Sequence, residues 1–394
     1  MKHHALAAAA LALSSLTFTS LPVHAQAAPA AAAASAVDHK AVAQHYGALV
    51  YANYSDTLAA AKDMQTAIAE FVKAPSAEGM DKARKAWLAA REYYGQTEAF
   101  RFYGGPIDND NGPEGQINAW PLDEAYVDYV EGKPDAGFVN NPKFKITKDN
   151  LIKANERGGE ENISAGWHAI EFLLWGQDLS ETGPGNRSFE DYVPGKGKNA
   201  ERRAQYLTVA TDLLIDDLSK VTRAWEPGKK NYRAQFEKGG KESVRKIIVG
   251  LGSLSRGELS GERMEVALNS QDQEDEHSCF SDNTHRDAAT NAKGIQNVWL
   301  GEYLQRDGKL LKGPGVRDLV AAKNPALADK TTAQIAESVK GAEAIPAPFD
   351  RAIIKGSSGR PVMEKTIASL VEQSKLLVES ASTVGIAKLT LVEP

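Results

Sequence analysis

The chain of 394 residues carries 46 Lys and Arg against 52 Asp and Glu, a net charge of −6, and one cysteine, Cys279. Mild acidity argues against nucleic acid or an anionic membrane as partner, since both demand a basic face. A lone cysteine excludes an intramolecular disulfide, so the fold must rest on a buried core, and the length suggests two domains.

Residues 1–25 read as a secretory signal: Lys2, an apolar Ala/Leu stretch from Ala5 to Leu13, and Val23-His24-Ala25 ahead of Gln26. They are too short and interrupted for a membrane span, no later stretch is apolar enough for one, and no cysteine follows for a lipid anchor. Residues 26–36 are an Ala-rich lead-in. Helical periodicity runs from Val42 to about Val72 and from Asp81 to Tyr103. Gly and Pro punctuate residues 104–120 as a loop. Helical patterns return at Leu122–Val130, Ile163–Trp175 and Ala200–Trp225. Beyond a soft boundary near residue 226, Glu242–Ser270 is amphipathic despite four glycines, and Asn291–Tyr303, Ala333–Lys340 and Met363–Val384 follow. Strand alternation is nearly absent. The expected fold is all-α: a helical-bundle domain over 37–225 packed on a second over 226–394, with a cleft between or within them.

One stretch poses a chemical question. In S-A-G-W-H-A-I-E-F-L-L-W-G-Q-D, residues 164–178, His168 and Glu171 stand in an otherwise apolar run. A helix apolar on all sides is buried, and three residues bring the two side chains onto one face. A buried carboxylate must be neutralised, hydrogen-bonded or coordinated. Gly166 allows another backbone or a ligand to approach closely. The pair is therefore either a polar network in the core or the start of a metal or acid/base site. Bundle metal sites pair such an i, i+3 set with carboxylates from facing helices. Glu98 and Asp123 are the candidates, although an Asp at a helix start is more often a cap. A second cluster, residues 271–287, holds six acidic residues with His277, Cys279 and His285. It reads equally as a cleft wall or a structural loop, and His277, Ser278, Asp282 and His285 are its candidate ligand-binding residues. No H-E-x-x-H, phosphate loop or G-x-S-x-G elbow occurs.

G-W-H-A-I-E matches the G-x-H-x-x-E motif, and the chain resembles the imelysin family, also called the iron-regulated protein A or insulin-cleaving membrane protease family. A-R-E-Y-Y-G-Q-T-E-A-F-R-F-Y-G-G-P-I-D, I-N-A-W-P-L-D-E-A-Y-V-D-Y-V and D-E-H-S-C-F-S-D-N-T-H resemble the same family, in order, across roughly residues 37–390. The resemblance implies a two-domain helical fold with the H-x-x-E helix, including Gly166 and Trp167, facing a cleft. It implies a periplasmic or outer-membrane-associated protein of iron acquisition, working beside other envelope iron-uptake proteins. Carried onto this chain, it makes His168, Glu171, Glu98 and Asp123 ligands of a divalent or ferric ion, iron first and zinc second. The family is also filed among metallopeptidases, in which case Glu171 is the catalytic residue. A third alternative is a cleft for haem or another non-metal ligand.

Overall fold

The computed structural model describes residues 37–180 and 182–392. The expected signal and lead-in lie outside the described residues. The helices that frame the core and the site are α1 (His39–Lys73), α2 (Ala77–Thr97), α3 (Gly166–Trp175), α4 (Ala200–Ala224), α5 (Lys241–Ser253), α6 (Val266–Ser270), α7 (Thr284–Leu300), α8 (Pro325–Glu343) and α9 (Arg360–Thr383). A π-helix, Leu254–Glu265, joins α5 to α6. Among the described residues the named strands are β1 (Glu302–Leu304) and β2 (Leu310–Lys312), an antiparallel hairpin with Tyr303 opposite Leu311. The described residues are predominantly helical, in line with the all-α expectation.

Local chemistry sets the helix starts. Asp38 accepts from Ala41 N at 2.8 Å to open α1, and Ser76 accepts from Gly79 N to open α2. Some expected bounds shift. α2 ends at Thr97, and Glu98–Phe100 tightens into a 3-10 turn. The helix expected over 122–130 shrinks to Glu124–Val127, because the Asp128 carboxylate accepts from the Tyr129 backbone N–H and anchors an ion cluster rather than extending the helix. The last residues expected in the helix ending at Tyr303 instead form β1, past Gly301 at φ +70°.

α1 and α2 pack as a helical hairpin; α1 also rests on α4 and α5, and α2 on α3 and α7. α7 packs on α8, and α8 on α9. Residues Val37–Pro394 cluster as one compact unit, and contacts such as α1 with α5 and α2 with α7 cross the boundary expected near 226. One continuous core runs through it. α3, all ten of whose residues are buried, lies at its centre, with Trp87 of α2 edge-on to both Trp167 and Trp175.

Candidate functional site

Gly166 begins α3 at φ +83°, and a Cβ there would meet the Ile117 carbonyl oxygen at 2.4 Å. The glycine of G-x-H-x-x-E thus admits another backbone, fixing the helix against the 114–118 segment.

One turn on, His168 Nδ1 lies 2.8 Å from Glu171 Oε2, and both side chains are essentially fully buried. The other Glu171 oxygen accepts from Ser281 N at 2.9 Å and from Ser281 Oγ at 2.7 Å. Burial pushes the Glu171 carboxyl up to about 8. Burial, with the nearby Arg91 charge, holds His168 well below its usual range. At neutral pH the pair is therefore neutral overall: the carboxyl proton is donated to Nδ1, and the ring's own proton sits on Nε2. That Nε2 has no hydrogen-bond partner.

The ring of His168 meets that of His277 edge to face, centroids 4.6 Å apart. His277 belongs to a second carboxylate–imidazole pair. Its Nδ1 lies 2.7 Å from Asp287 Oδ2, which also accepts from Ser278 Oγ, while Asp287 Oδ1 accepts from Arg91 at 2.8 Å. Burial alone would raise Asp287, but Arg91 and His277 hold it far below the ordinary carboxylate range. Burial and the Arg263 charge push His277 down to about 3. The ionised Asp287 fixes the His277 proton on Nδ1, leaving the Nε2 lone pair as an acceptor, approached only at 3.4 Å by the Asn118 amide nitrogen.

His277 also lines a cleft of about 360 Å³. Five glutamates line it too, at positions 114, 156, 160, 258 and 262, against Arg101 and Arg263. The π-helix supplies Glu258, Glu262 and Arg263; such geometry is rare and recurs at functional sites. Both arginines are already engaged by acids: Arg101 and Arg263 donate to Glu98 Oε2 at 2.6 and 2.7 Å, and Arg263 also to Glu258. The cleft thus presents a net negative field with a neutral imidazole at its wall.

The four residues expected to share a metal ion are not brought together; among the described residues no group of three or more His, Cys, Asp or Glu side chains is placed to hold one. Burial alone would raise Glu98, yet Arg101 and Arg263 pull it down to about 2, so it serves as an anion for two arginines. Asp123 is exposed and caps Glu124–Val127 through Ala125 N. Glu171 has both oxygens occupied, by Ser281 and by His168. As placed, the four residues do not converge on a resident metal. Of the second cluster, Ser278 supports Asp287. Asp282 sits apart at φ +54°, raised to about 7 by burial and by Asp178 and Asp350, and His285 is half-buried with Nδ1 on the Asp282 carbonyl. Trp167 packs under Arg91, and its O accepts from Trp87 Nε1.

Sequence reasoning missed Arg91, Asn118, Ser281, Asp287, Arg101, Arg263 and Glu258. Arg91 and Arg263 do carry a signal: each interrupts an otherwise apolar helical face. Asp287 and Ser281 stood inside the singled-out cluster, but spacing alone could not join them to α2 and α3.

The pattern defining the imelysin family matches residues 50–377. The chain belongs to the imelysin family. It is similar to iron-regulated protein A of Synechococcus elongatus, 26% identical over 314 residues, which spans 77% of this chain and 74% of that relative. It also resembles a crystal structure from Parabacteroides distasonis, titled as that of an iron-regulated protein A precursor. There the TM-score is 0.68 at 18% identity, covering 87% of this chain and 94% of the other, which is likeness of fold. Among the described residues no helix of this imelysin-family chain is long and apolar enough to cross a membrane.

Proposed function

We propose that this imelysin-family protein is exported and serves iron acquisition, taking an iron-bearing cation as cargo in the acidic cleft. The observation that carries the reading is His277: a buried imidazole, its Nδ1 fixed by an ionised carboxylate, whose Nε2 acceptor borders a cleft of net negative charge. The Asp287–His277 arrangement is that of a histidine oriented by a carboxylate to present its second nitrogen outward. His168 and Glu171 act from behind, as the wall that holds the His277 ring and keeps its surroundings free of unbalanced charge. The names of the relatives support the link to iron, and the signal-like residues 1–25 support export to the periplasm, with outer-membrane association a further option.

A cation can be held here through its own bound water or chelator as well as by direct ligation. A water occupies about 30 Å³ of liquid volume, so a cleft of about 360 Å³ accepts an ion with a full first hydration shell. Hydrolysis of a peptide is less well supported. A metal-bound water needs roughly three converging ligands and an open carboxylate beside it, and Glu171, which does not line the cleft, offers neither oxygen.

The test is iron content by plasma mass spectrometry after equilibrium dialysis with ferrous salt, on untagged protein. Wild type is expected to retain iron near one ion per chain, and His277→Ala to lose most of it while melting cooperatively. Equal retention in both, or none in wild type, overturns the reading.

A further inference from the structure

A second pocket opens at the C-terminal end of α3 and shares no lining residue with the acidic cleft. Its volume is about 450 Å³, ordinary for a small-molecule site. Tyr129, Val130, Leu179 and Pro184 give it an apolar wall, and Leu179 is 66% exposed.

Arg187 closes the inner end. Its side chain is 2% exposed, and its NH1 group donates to Asp128 at 2.7 Å and Asp191 at 3.3 Å. Its Nε–H, however, is buried without an acceptor. Gly176, which lines the pocket, packs directly on the Arg187 side chain: a Cβ there would stand 3.2 Å from Arg187 Cβ and 3.5 Å from Nε, so no side chain separates Nε from that wall. A buried guanidinium N–H left unpaired is costly, so an acceptor placed in the pocket gains an unusually good partner. The acceptor it favours is uncharged. Arg187 and Arg203 are already paired with Asp128 and Asp191, so Arg187 carries no unmatched charge of its own toward the pocket. The remainder of the pocket is negative. Asp178, buried and with its carboxyl raised above the usual range chiefly by that burial, and Glu131, exposed at the rim, are the acids that line it.

We propose that this pocket binds an organic amine with an apolar body and an uncharged carbonyl, the carbonyl accepting from Arg187 Nε–H and the ammonium facing Asp178 and Glu131. The site is independent of the cleft at His277, and its occupancy does not depend on iron.

Isothermal titration of the full chain with phenylalaninamide tests it. Three comparators each lack one feature: phenethylamine has no carbonyl, N-acetylphenylalaninamide has no charge, and N-acetylphenylalanine replaces the cation by an anion. Phenylalaninamide is expected to bind saturably and each comparator roughly tenfold more weakly, as loss of one charge-assisted contact implies. The Asp178→Asn, Glu131→Gln double variant is expected to weaken phenylalaninamide by a similar factor; Glu131→Gln alone, at an exposed position, gives a smaller loss without risk to the fold. Absence of saturable binding, equal affinity for the anion, or unchanged affinity in both variants overturns the proposal.

Discussion

Folding depresses the His277 imidazole from 6.5 to about 3, so between those values the unfolded chain binds a proton that the folded chain does not. Stability from this group is therefore full above pH 6.5 and lost as pH falls towards 3, by an amount on the order of a few kcal/mol. Glu98, lowered from 4.5 to about 2, loses its share in the same direction below pH 4.5. Glu171 runs oppositely. Its carboxyl, raised from 4.5 to about 8, keeps a proton the unfolded chain has released, so its contribution is full below pH 4.5 and declines as pH rises to 8. Melting followed against pH separates the two. Glu171→Gln, which imitates the protonated carboxyl, is expected to match wild type near pH 5 and to gain on it at pH 8. His277→Gln is expected to lose less stability than wild type between pH 6.5 and 4. Identical profiles for variants and wild type would show that neither group titrates as its surroundings dictate. At Gly166, Ala is expected to cost about 3 kcal/mol or more, measured by urea denaturation, because its φ is positive and its Cβ would strike the Ile117 carbonyl. The residue types at 166, 168 and 171 announced burial and chemistry in the sequence. Their partners did not show: Ser281 and Asp287 are ordinary polar residues until α7 and the segment before it are laid against α3.

At the scale of elements, α2 and α7 approach closely because each is notched at the contact. A Cβ on Gly95 would lie 2.0 Å from Thr290 Oγ1, and one on Gly294 would lie 2.3 Å from the Gln96 carbonyl oxygen. This approach brings Arg91 of α2 to Asp287 of α7, and so aligns His277. Gly294→Ala, which would favour an isolated helix by nearly 1 kcal/mol, is expected here to destabilise the protein by about 2 kcal/mol or more and to disturb the cleft. The check is the unfolding midpoint beside a near-ultraviolet circular dichroism spectrum. The π-helix is the other element on which the site depends. Its wider turn carries Glu258, Glu262 and Arg263 to one side of the cleft, with Arg263 bridging to Glu98 and Asn291. Arg263→Met removes one of two cations from a buried carboxylate; a loss of about 3 kcal/mol is expected in the same denaturation measurement. The glycines between 250 and 261 signalled an irregular helix in the sequence, but not that the irregularity would take a continuous π form.

Across the whole molecule, packing joins the two halves of the chain. α2 lies on α7, α1 on α5, and the ion cluster about Arg91 and Asp287 draws on both halves. A fragment of residues 37–225 would expose the face of α2 that α7 covers and leave Arg91 without Asp287. It is expected to show no cooperative thermal transition, whereas residues 37–394 melt in one. A sharp transition in the fragment would show an independent first domain.

The sequence by itself determined the helical class, the positions of the long helices and the buried G-x-H-x-x-E helix, because periodicity, caps and an all-apolar run are local signals carried by neighbouring residues. It also singled out His277, with Ser278, Asp282 and His285, through the density of acids and histidines over 271–287, read equally as a cleft wall or a structural loop. Only the tertiary structure decided the roles. Whether a buried carboxylate is a ligand, a counter-ion or a proton carrier depends on which charges stand within a few ångströms, and those come from helices far away in the chain. Arg101 and Arg263 both donate to Glu98, and of the two carboxylate–imidazole pairs Asp287 faces His277 at the cleft while Glu171 faces His168 behind it.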